Sequence, residues 1–376
     1  MKMKQKCIEW IKQQMEIHRY NGRKQSYINY YKRIIQRHPE LDCPAEGEES
    51  WLAYWRKFDR NLSPLAYRVF SRYIGPDVQI LPLELCINIV EPILTPSHYR
   101  GFYRNKNSLN LLMPEGTTVK TIIRKIVGLY YNHRYQPLNM NETTLQNLLA
   151  PYDKVLFKPA MEDSGRGIQL FERKGAGLFN RQGEELTASY LLNIHLDDFQ
   201  IQECINQSDF TASFNPSSVN SFRVMTYRSV TDGELLVPNV TFKVGGKGNI
   251  VDNIHGGGVI CGVDKNGKLM NYAVNTLGDR FDYSGTNNLK ENEYYVPQYD
   301  RLLTFAKEVA NRIPHHHLLA LDIALNRNDD PVLIEVNSEG FSGWLFQFTT
   351  GSVFGEFTEE VMNYCYKRID NRLLKI

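Results

Sequence analysis

The stretch LLALDIALNRNDDPVLIEVN, residues 318–337, reads as two β-strands joined by the turn Arg327-Asn328-Asp329-Asp330 just ahead of Pro331. Strand side chains alternate between the two faces of a sheet. Leu319, Leu321, Ile323 and Leu325 therefore form one large apolar face, and Ala320, Asp322 and Ala324 form the opposite one. On the second strand Val332, Ile334 and Val336 are expected to point to the core, with Glu335 and Asn337 sharing the other face. If the four turn residues make the loop, Asn326 lies opposite Pro331, and counting inward sets Asp322 directly across from Glu335.

Like charges directly opposite on a sheet repel, unless a cation between them reverses the sign. Asp and Glu oxygens with an Asn amide oxygen beside them are hard ligands, suited to a magnesium ion that keeps waters and bridges phosphates. A solvated hairpin with a polar outer face has the same spacing, so the metal reading needs support from elsewhere in the chain.

Upstream, KVLFKPAMEDSGRGIQLF (residues 154–171) gives a strand ending in Lys158-Pro159, a loop with Ser164-Gly165-Arg166-Gly167, and another strand. Glycines let backbone amides approach phosphate oxygens closely, and Lys158 supplies a compact positive charge. A G-x-G alone marks an ordinary hairpin just as well. The sequence contains no G-x-x-x-x-G-K-[ST], and no G-x-G-x-x-G between a strand and a helix, so neither a P-loop nor a Rossmann cofactor site is indicated.

Around these segments the chain divides by pattern. Residues 2–73 place apolar and aromatic side chains at three-and-four spacing, as in Ile8, Ile11 and Met15 or Ile28, Tyr31, Ile34 and Ile35, which predicts helices. The acidic, Pro- and Gly-containing residues 41–50 are expected to break them. The aromatic residues here, Trp10, Tyr20, Tyr27, Tyr30, Tyr31, Trp51, Tyr54 and Trp55, read as helix packing. Residues 76–114 read as mixed α and β, and 117–129 as a Thr-started amphipathic helix. From Asp153 onward β-rich runs dominate, separated by Asp-Gly, Gly-Gly and Asn-Gly turns that favour antiparallel pairing. Helices return at 298–312 and 357–368. His315-His316-His317 cannot all converge on a metal, because neighbours on an extended chain point to opposite faces.

The chain's 376 residues, 42% of them hydrophobic, are enough for two or three domains. A formal net charge of +2 makes no case for a nucleic-acid binder, although residues 1–73 carry about seven more basic than acidic side chains. Six cysteines without C-x-x-C spacing argue against a disulfide framework or zinc cluster. The charged N-terminus lacks a signal-peptide core, and charges interrupt every apolar run. A cytoplasmic protein that does not span a membrane is expected.

The order of the parts is informative. A lysine strand, a glycine loop, the strand FQIQECI (199–205), a strand carrying Arg223, and the Asp and Glu-x-Asn hairpin together resemble the ATP-grasp superfamily. The closer resemblance is to the sugar-transfer-associated ATP-grasp family. It is carried by VEPILTP (90–96), RNKNSLNLL (104–112), SVNSFRVMTYR (218–228) and VDNIHGGGVICGVD (251–264). It implies an α+β ATP-grasp fold of two subdomains clamping ATP, at 96–200 and 201–376, preceded by a helical region at 1–95.

The same resemblance implies roles. Lys158 contacts the phosphates, with Gly165, Arg166 and Gly167 in the loop over them and Lys106 as a second contact, although Asn105 replaces the family's usual acid. Gln202, Glu203, Cys204 and Ile205 form the segment whose backbone reads adenine, with Glu203 accepting from the adenine amino group and Asp209 near the ribose. Asp322, Glu335 and Asn337 map to the magnesium ligands, the same three residues reached from register alone. Arg223 and Lys243 fall at catalytic positions, where Arg223 offsets charge on the transferred phosphoryl or acyl group. Asn253 and His255 are candidates for the acceptor site.

These roles imply a magnesium- and ATP-dependent ligase that joins a small-molecule or glycan-linked carboxylate to an amine through an acyl phosphate, in surface-glycan synthesis beside other glycan-assembly enzymes. Two alternatives stay open: a kinase on the same fold, and a non-catalytic nucleotide-binding partner of glycosyltransferases.

Overall fold

A computed structural model describes residues 2–162, 165–249 and 254–369. Three helices, Lys2–Arg37, Glu48–Trp55 and Leu65–Ile74, make up most of the first seventy-odd residues. The expected break between them ends at Gly47, and Glu48–Ser50 are already helical. The helices close around Tyr31, Trp51, Trp55 and Phe70, all fully buried. Trp51 and Trp55 donate their indole N–H groups to the carbonyls of Ile80 (2.7 Å) and Val78 (2.8 Å).

Two expectations for the next stretch are corrected. Residues 83–112 form short helices broken at Thr95-Pro96 and at Asn105, including a wide π-type turn at Cys86–Val90 and helices Ser97–Arg104 and Lys106–Leu112, so strands begin only at Thr121. Residues 117–129 do not form a helix. They contain β1 (Thr121–Ile126), which turns through Val127 and Gly128, both at positive φ, into β2 (Leu129–Asn132). The β-branched run Thr121-Ile122-Ile123 and the Val-Gly turn outweigh the three-and-four spacing.

β1 and β2 join β3 (Lys154–Pro159), β4 (Gln169–Lys174), β5 (Gly177–Phe179) and β6 (Phe199–Glu203) in a six-stranded sheet of order β2-β1-β6-β3-β4-β5. A dividing line at residue 200 would cut through β6. The second sheet has seven strands in the order β11-β10-β9-β8-β7-β14-β15. These are β7 (Ser221–Arg228), β8 (Leu235–Val244), β9 (Val259–Val263), β10 (Leu269–Val274), β11 (Arg280–Phe281), β14 (Leu318–Leu325) and β15 (Pro331–Asn337). A short ribbon, β12 (Tyr283–Ser284) with β13 (Asn287–Asn288), sits between. The strand pairs within these sheets are antiparallel.

One face of the second sheet packs Leu319, Leu321, Ile323 and Leu325 with Phe222, Phe242 and helix Tyr299–Asn311. On the other face Leu318, Ala320, Met225 and Tyr227 pack against the N-terminal helices and Thr358–Arg368. The N-terminal helices thus share a core with the second sheet, and they cover only part of that face. Its uncovered part carries Arg223, Lys243 and Asp322.

The hairpin brings Asp322 opposite Glu335, but by a different route from the one counted in sequence. Leu325 pairs with Pro331 and Ile323 with Leu333, so the loop has five residues, 326–330, organised by the Asn326 side chain accepting from Asn328 N–H (2.8 Å) and Asp330 N–H (3.0 Å). The register then shifts at a bulge beside Ile334. The two one-residue offsets cancel. The bulge also changes the faces: Leu333 and Val336 are buried in the core, whereas Val332 and Ile334 are only half-buried.

Gln347 ties the helical region to the sheet that carries the site. Fully buried, it accepts from Leu81 N–H (2.6 Å) and donates to Leu81 C=O (3.1 Å). Gln347→Leu keeps the volume but strands both groups, which costs about 2–4 kcal/mol. We expect a thermal midpoint lower by several degrees, read by circular dichroism.

Candidate active site

Between the two sheets lies a cleft of about 1040 Å³. Alternation along β3 builds one wall. Val155 and Phe157 enter the core of the first sheet, which leaves Lys154, Leu156 and Lys158 on the cleft side. Leu170 of β4 stands directly across from Leu156. With Ile168, Ile205 and, from the second sheet, Ile334, they give the cleft a half-buried apolar slot.

Lys158 is buried at the end of β3, where the chain enters the glycine loop. Gly165 and Gly167 both adopt positive φ, +73° and +71°, and a Cβ on Gly167 would come within 2.9 Å of Pro159 Cγ. Both the turn and the close approach therefore require glycine at 167. Arg166 points outward and pairs with Glu162 (3.2 Å). Ser164 lies outside the described residues.

β6 supplies the adjoining edge. The Gln202 amide donates to Gln200 Oε1 (2.7 Å) and to Thr121 Oγ1 (3.3 Å), which fixes the strand against β1. Glu203, Cys204 and Ile205 continue along the cleft wall, and burial pushes the Cys204 thiol up to about 11, so it is no nucleophile at neutral pH. Asp209 is exposed at the start of helix Asp209–Phe214 and also lines the cleft.

The floor is electrostatic. Register sets Arg223 of β7 directly beside Asp322 of β14. The guanidinium grips the carboxylate with both arms, Nε to Oδ1 at 2.6 Å and Nη2 to Oδ2 at 3.1 Å. Lys243 of β8 adds its ammonium at 3.2 Å from Oδ2. Burial pushes the Asp322 carboxyl up, but the two cations more than offset this and hold it below the usual carboxylate range. Glu335 faces Lys106 at 3.0 Å, and Lys106 also donates to the Glu162 carbonyl at 2.8 Å, bridging the cleft from the second sheet to the glycine loop. Asn105 has a structural use in place of the absent acid: its side chain caps helix Lys106–Leu112 by accepting from Asn107 N–H.

Asn337 donates its amide nitrogen to Ala320 C=O (3.2 Å), which leaves the amide oxygen as its remaining acceptor. Asp322, Glu335 and Asn337 all line the cleft, as do Arg223 and Lys243. Among the described residues no three His, Cys, Asp or Glu side chains are grouped to hold a metal unaided. Two carboxylates with one amide oxygen fit magnesium, which keeps waters and takes phosphate oxygens as its other ligands.

Asn253 lies outside the described residues, as does the His255 side chain. The three histidines separate as alternation requires: His315 stacks on Tyr99 at 4.0 Å, His316 is buried, and His317 reaches the Arg228 carbonyl (2.9 Å). Sequence reading missed Leu156 and Leu170, although the alternation that puts Lys158 on the cleft side puts Leu156 there too. It missed Glu91 as well. This buried acid accepts from Gly340 N–H (3.3 Å) and Phe341 N–H (3.0 Å) and so pins the cleft-lining turn after Asn337.

A model of the sugar-transfer associated ATP-grasp family matches residues 110–363. No curated protein matches the chain. Solved structures similar to it include the ATP-grasp ligase PsnB with a minimal precursor (8% identity, 72% of this chain, 63% of that one, TM-score 0.37). Others are N5-carboxyaminoimidazole ribonucleotide synthetase from Thermotoga maritima (10%, 73% and 55%, 0.37) and D-alanine–D-alanine ligase from Bacillus anthracis (11%, 72% and 70%, 0.37). The chain thus spans less than two thirds of the length of the first two.

Because the folded-state pKa of Asp322 is lowered, its ion pairs stabilise the protein above the unfolded carboxyl pKa of about 3.9, and that contribution is lost as pH falls through the folded value. Asp322→Ala removes the carboxylate from a buried guanidinium and costs about 3–5 kcal/mol near neutral pH. The gap in stability between wild type and variant, followed by thermal unfolding, is expected to shrink below about pH 4.

Proposed function

The chain belongs to the sugar-transfer associated ATP-grasp family, and on that footing we propose that it is an ATP-dependent carboxylate ligase whose reaction centre is the floor of the cleft. The observation that carries this reading is the single contiguous set formed by Arg223, Lys243 and Asp322 with Glu335 and Lys106, facing the lysine and glycine loop of the other sheet.

ATP occupies the cleft with adenine in the slot of Leu156, Leu170, Ile205 and Ile334, against the 202–205 backbone, and its phosphates toward Lys158, Lys106 and the glycine loop. A cleft of about 1040 Å³ exceeds what one nucleotide needs and leaves room for a second substrate. Asp322, Glu335 and Asn337 would hold magnesium, which when bound neutralises charge on the phosphate oxygens.

The substrate carboxylate oxygen attacks the terminal phosphorus, the bond to ADP breaks, and an acyl phosphate results. Arg223, its planar fork already fixed on Asp322, and Lys243 sit where they offset the negative charge on the transferred group. An amine then attacks the acyl carbon, phosphate leaves with the bonding pair, and the amine loses a proton to give the amide. The family association supports a carboxylate carried on a sugar or glycan as the acceptor class, an amine as its partner, and glycan-assembly enzymes as neighbours. ATP as substrate supports a cytoplasmic reaction.

Incubation with ATP, magnesium and sugar acids plus amines, followed by phosphorus NMR, tests the reading. Free phosphate and ADP are expected, and a stable phosphorylated acceptor would replace the ligase with a kinase. Glu335→Gln should abolish turnover with an unchanged circular dichroism spectrum, because Glu335 is half-exposed on the cleft wall, and wild-type rates at saturating magnesium would remove it from the metal site. Lys158→Ala should raise the nucleotide Kd about tenfold to a hundredfold by calorimetry, as loss of one charged hydrogen bond requires.

A further inference from the structure

The N-terminal helix, Lys2–Arg37, is 36 residues long, about 54 Å at 1.5 Å per residue. Its C-terminal half is anchored, with Tyr31 and Ile34 fully buried and Tyr20, Tyr27 and Tyr30 packed against the same core. Before Tyr20 none of its described side chains joins a hydrophobic cluster. Ile8 (46%), Trp10 (61%), Ile11 (51%) and Met15 (60%) are exposed, which corrects the expectation that Trp10 is packed. A run of apolar side chains at helical spacing that covers nothing of its own protein needs another surface to cover it.

The chemistry of that surface can be read from the stretch. Over residues 7–19, at 100° per residue, Trp10, Cys7, Ile11, Met15 and Ile8 share one half of the helix with Gln14 and His18, and Arg19, Lys12, Glu16, Glu9 and Gln13 take the other with Ile17. Residues 2–19 hold five basic residues (Lys2, Lys4, Lys6, Lys12, Arg19) and two acids (Glu9, Glu16). A coiled coil with a second copy would use a narrow seam, Ile8, Ile11, Met15 and His18. That leaves Trp10 outside it, with Lys12 and Arg19 facing Cys7 and Gln14 and no acid. A broad, mainly apolar face with a tryptophan, bordered along one edge by Lys12 and Arg19 in a stretch of net positive charge, is the pattern of a helix lying in a membrane interface. Among the described residues no helix is long and apolar enough to cross a membrane.

We propose that residues 2–19 dock the protein onto an anionic membrane surface, the apolar half sinking between headgroups and the basic residues meeting lipid charge. The docking is separate from the cleft and independent of the ligase reading.

Flotation of the full chain with vesicles tests it. The protein should float with mixed phosphatidylcholine–phosphatidylglycerol vesicles, stay behind with phosphatidylcholine alone, and be released by added salt. Trp51 and Trp55 are fully buried and Trp344 is half-buried in the cleft, so a blue shift on adding anionic vesicles that persists in Trp344→Phe and is lost in Trp10→Phe reports Trp10. The double substitution Ile11→Asp and Met15→Asp should cut partitioning by about tenfold or more, with the thermal midpoint and nucleotide Kd unchanged. Failure of the wild type to float with anionic vesicles overturns the proposal. So does undiminished flotation of the variant, or a wild-type dimer that the same substitutions dissociate without any effect on vesicles.

Discussion

Asp322 is where the structure is most tightly constrained. A carboxylate in the middle of a sheet is costly to bury alone, and here it survives because β7 and β8 each deliver a cation to it, Arg223 and Lys243. That requires β14, β7 and β8 to be neighbours in one register, with Arg223 beside Asp322 and Thr241 beside Arg223. It also requires that the helices covering this face stop short of the charges. The cores bear this out: Ala320 and Met225 are packed under the N-terminal helices, whereas Arg223 and Asp322 lie at the cleft. The small residues flanking the acid, Ala320 and Ala324, leave space for the guanidinium.

Such a triad is weak evidence for stability, since burying ions forfeits hydration that the pairing only partly restores. Its physical product is orientation. A guanidinium held at two points has lost its rotamer freedom before any substrate arrives, so a group bound against it does not bear that ordering cost.

Much of this was legible in the sequence, and the parts that were not have identifiable causes. The strands could be found because KVLFK and LLALDIAL are short, mainly apolar runs and FQIQECI alternates apolar with polar residues, and their order resembled a family. The pairing of Asp322 with Glu335 was reached through a four-residue loop and an unbroken ladder, whereas the protein uses five residues and a bulge at Ile334. A bulge has no sequence signal here: the continuous apolar run Val332-Leu333-Ile334 fits either face of the strand. Of the hydrophobic slot, Ile334 was hidden for the same reason, reading as core until the bulge turns it, whereas Leu156 was legible from alternation along its strand. The 117–129 segment failed where helical spacing and strand propensity competed and the Val127-Gly128 turn decided. Trp10 failed because three-and-four spacing shows that a helix has an apolar face and not what covers it.

The cations of the cleft floor outnumber its acids, Arg223, Lys243 and Lys106 against Asp322 and Glu335, and the whole lining has eight Lys and Arg to six Asp and Glu among the described residues. A resident metal in this protein without nucleotide would add positive charge to an already positive floor, and would compete with Lys106 and Lys243 for the same two carboxylates. A nucleotide triphosphate reverses the balance. Bound as proposed, its phosphates would give Lys106 and Lys243 anionic partners, so that Glu335 and Asp322 could turn toward a metal, and would add oxygen ligands to it. On the proposed ligase reading, charge alone would couple metal affinity to nucleotide, the two entering as one complex with the lysines exchanging carboxylate for phosphate.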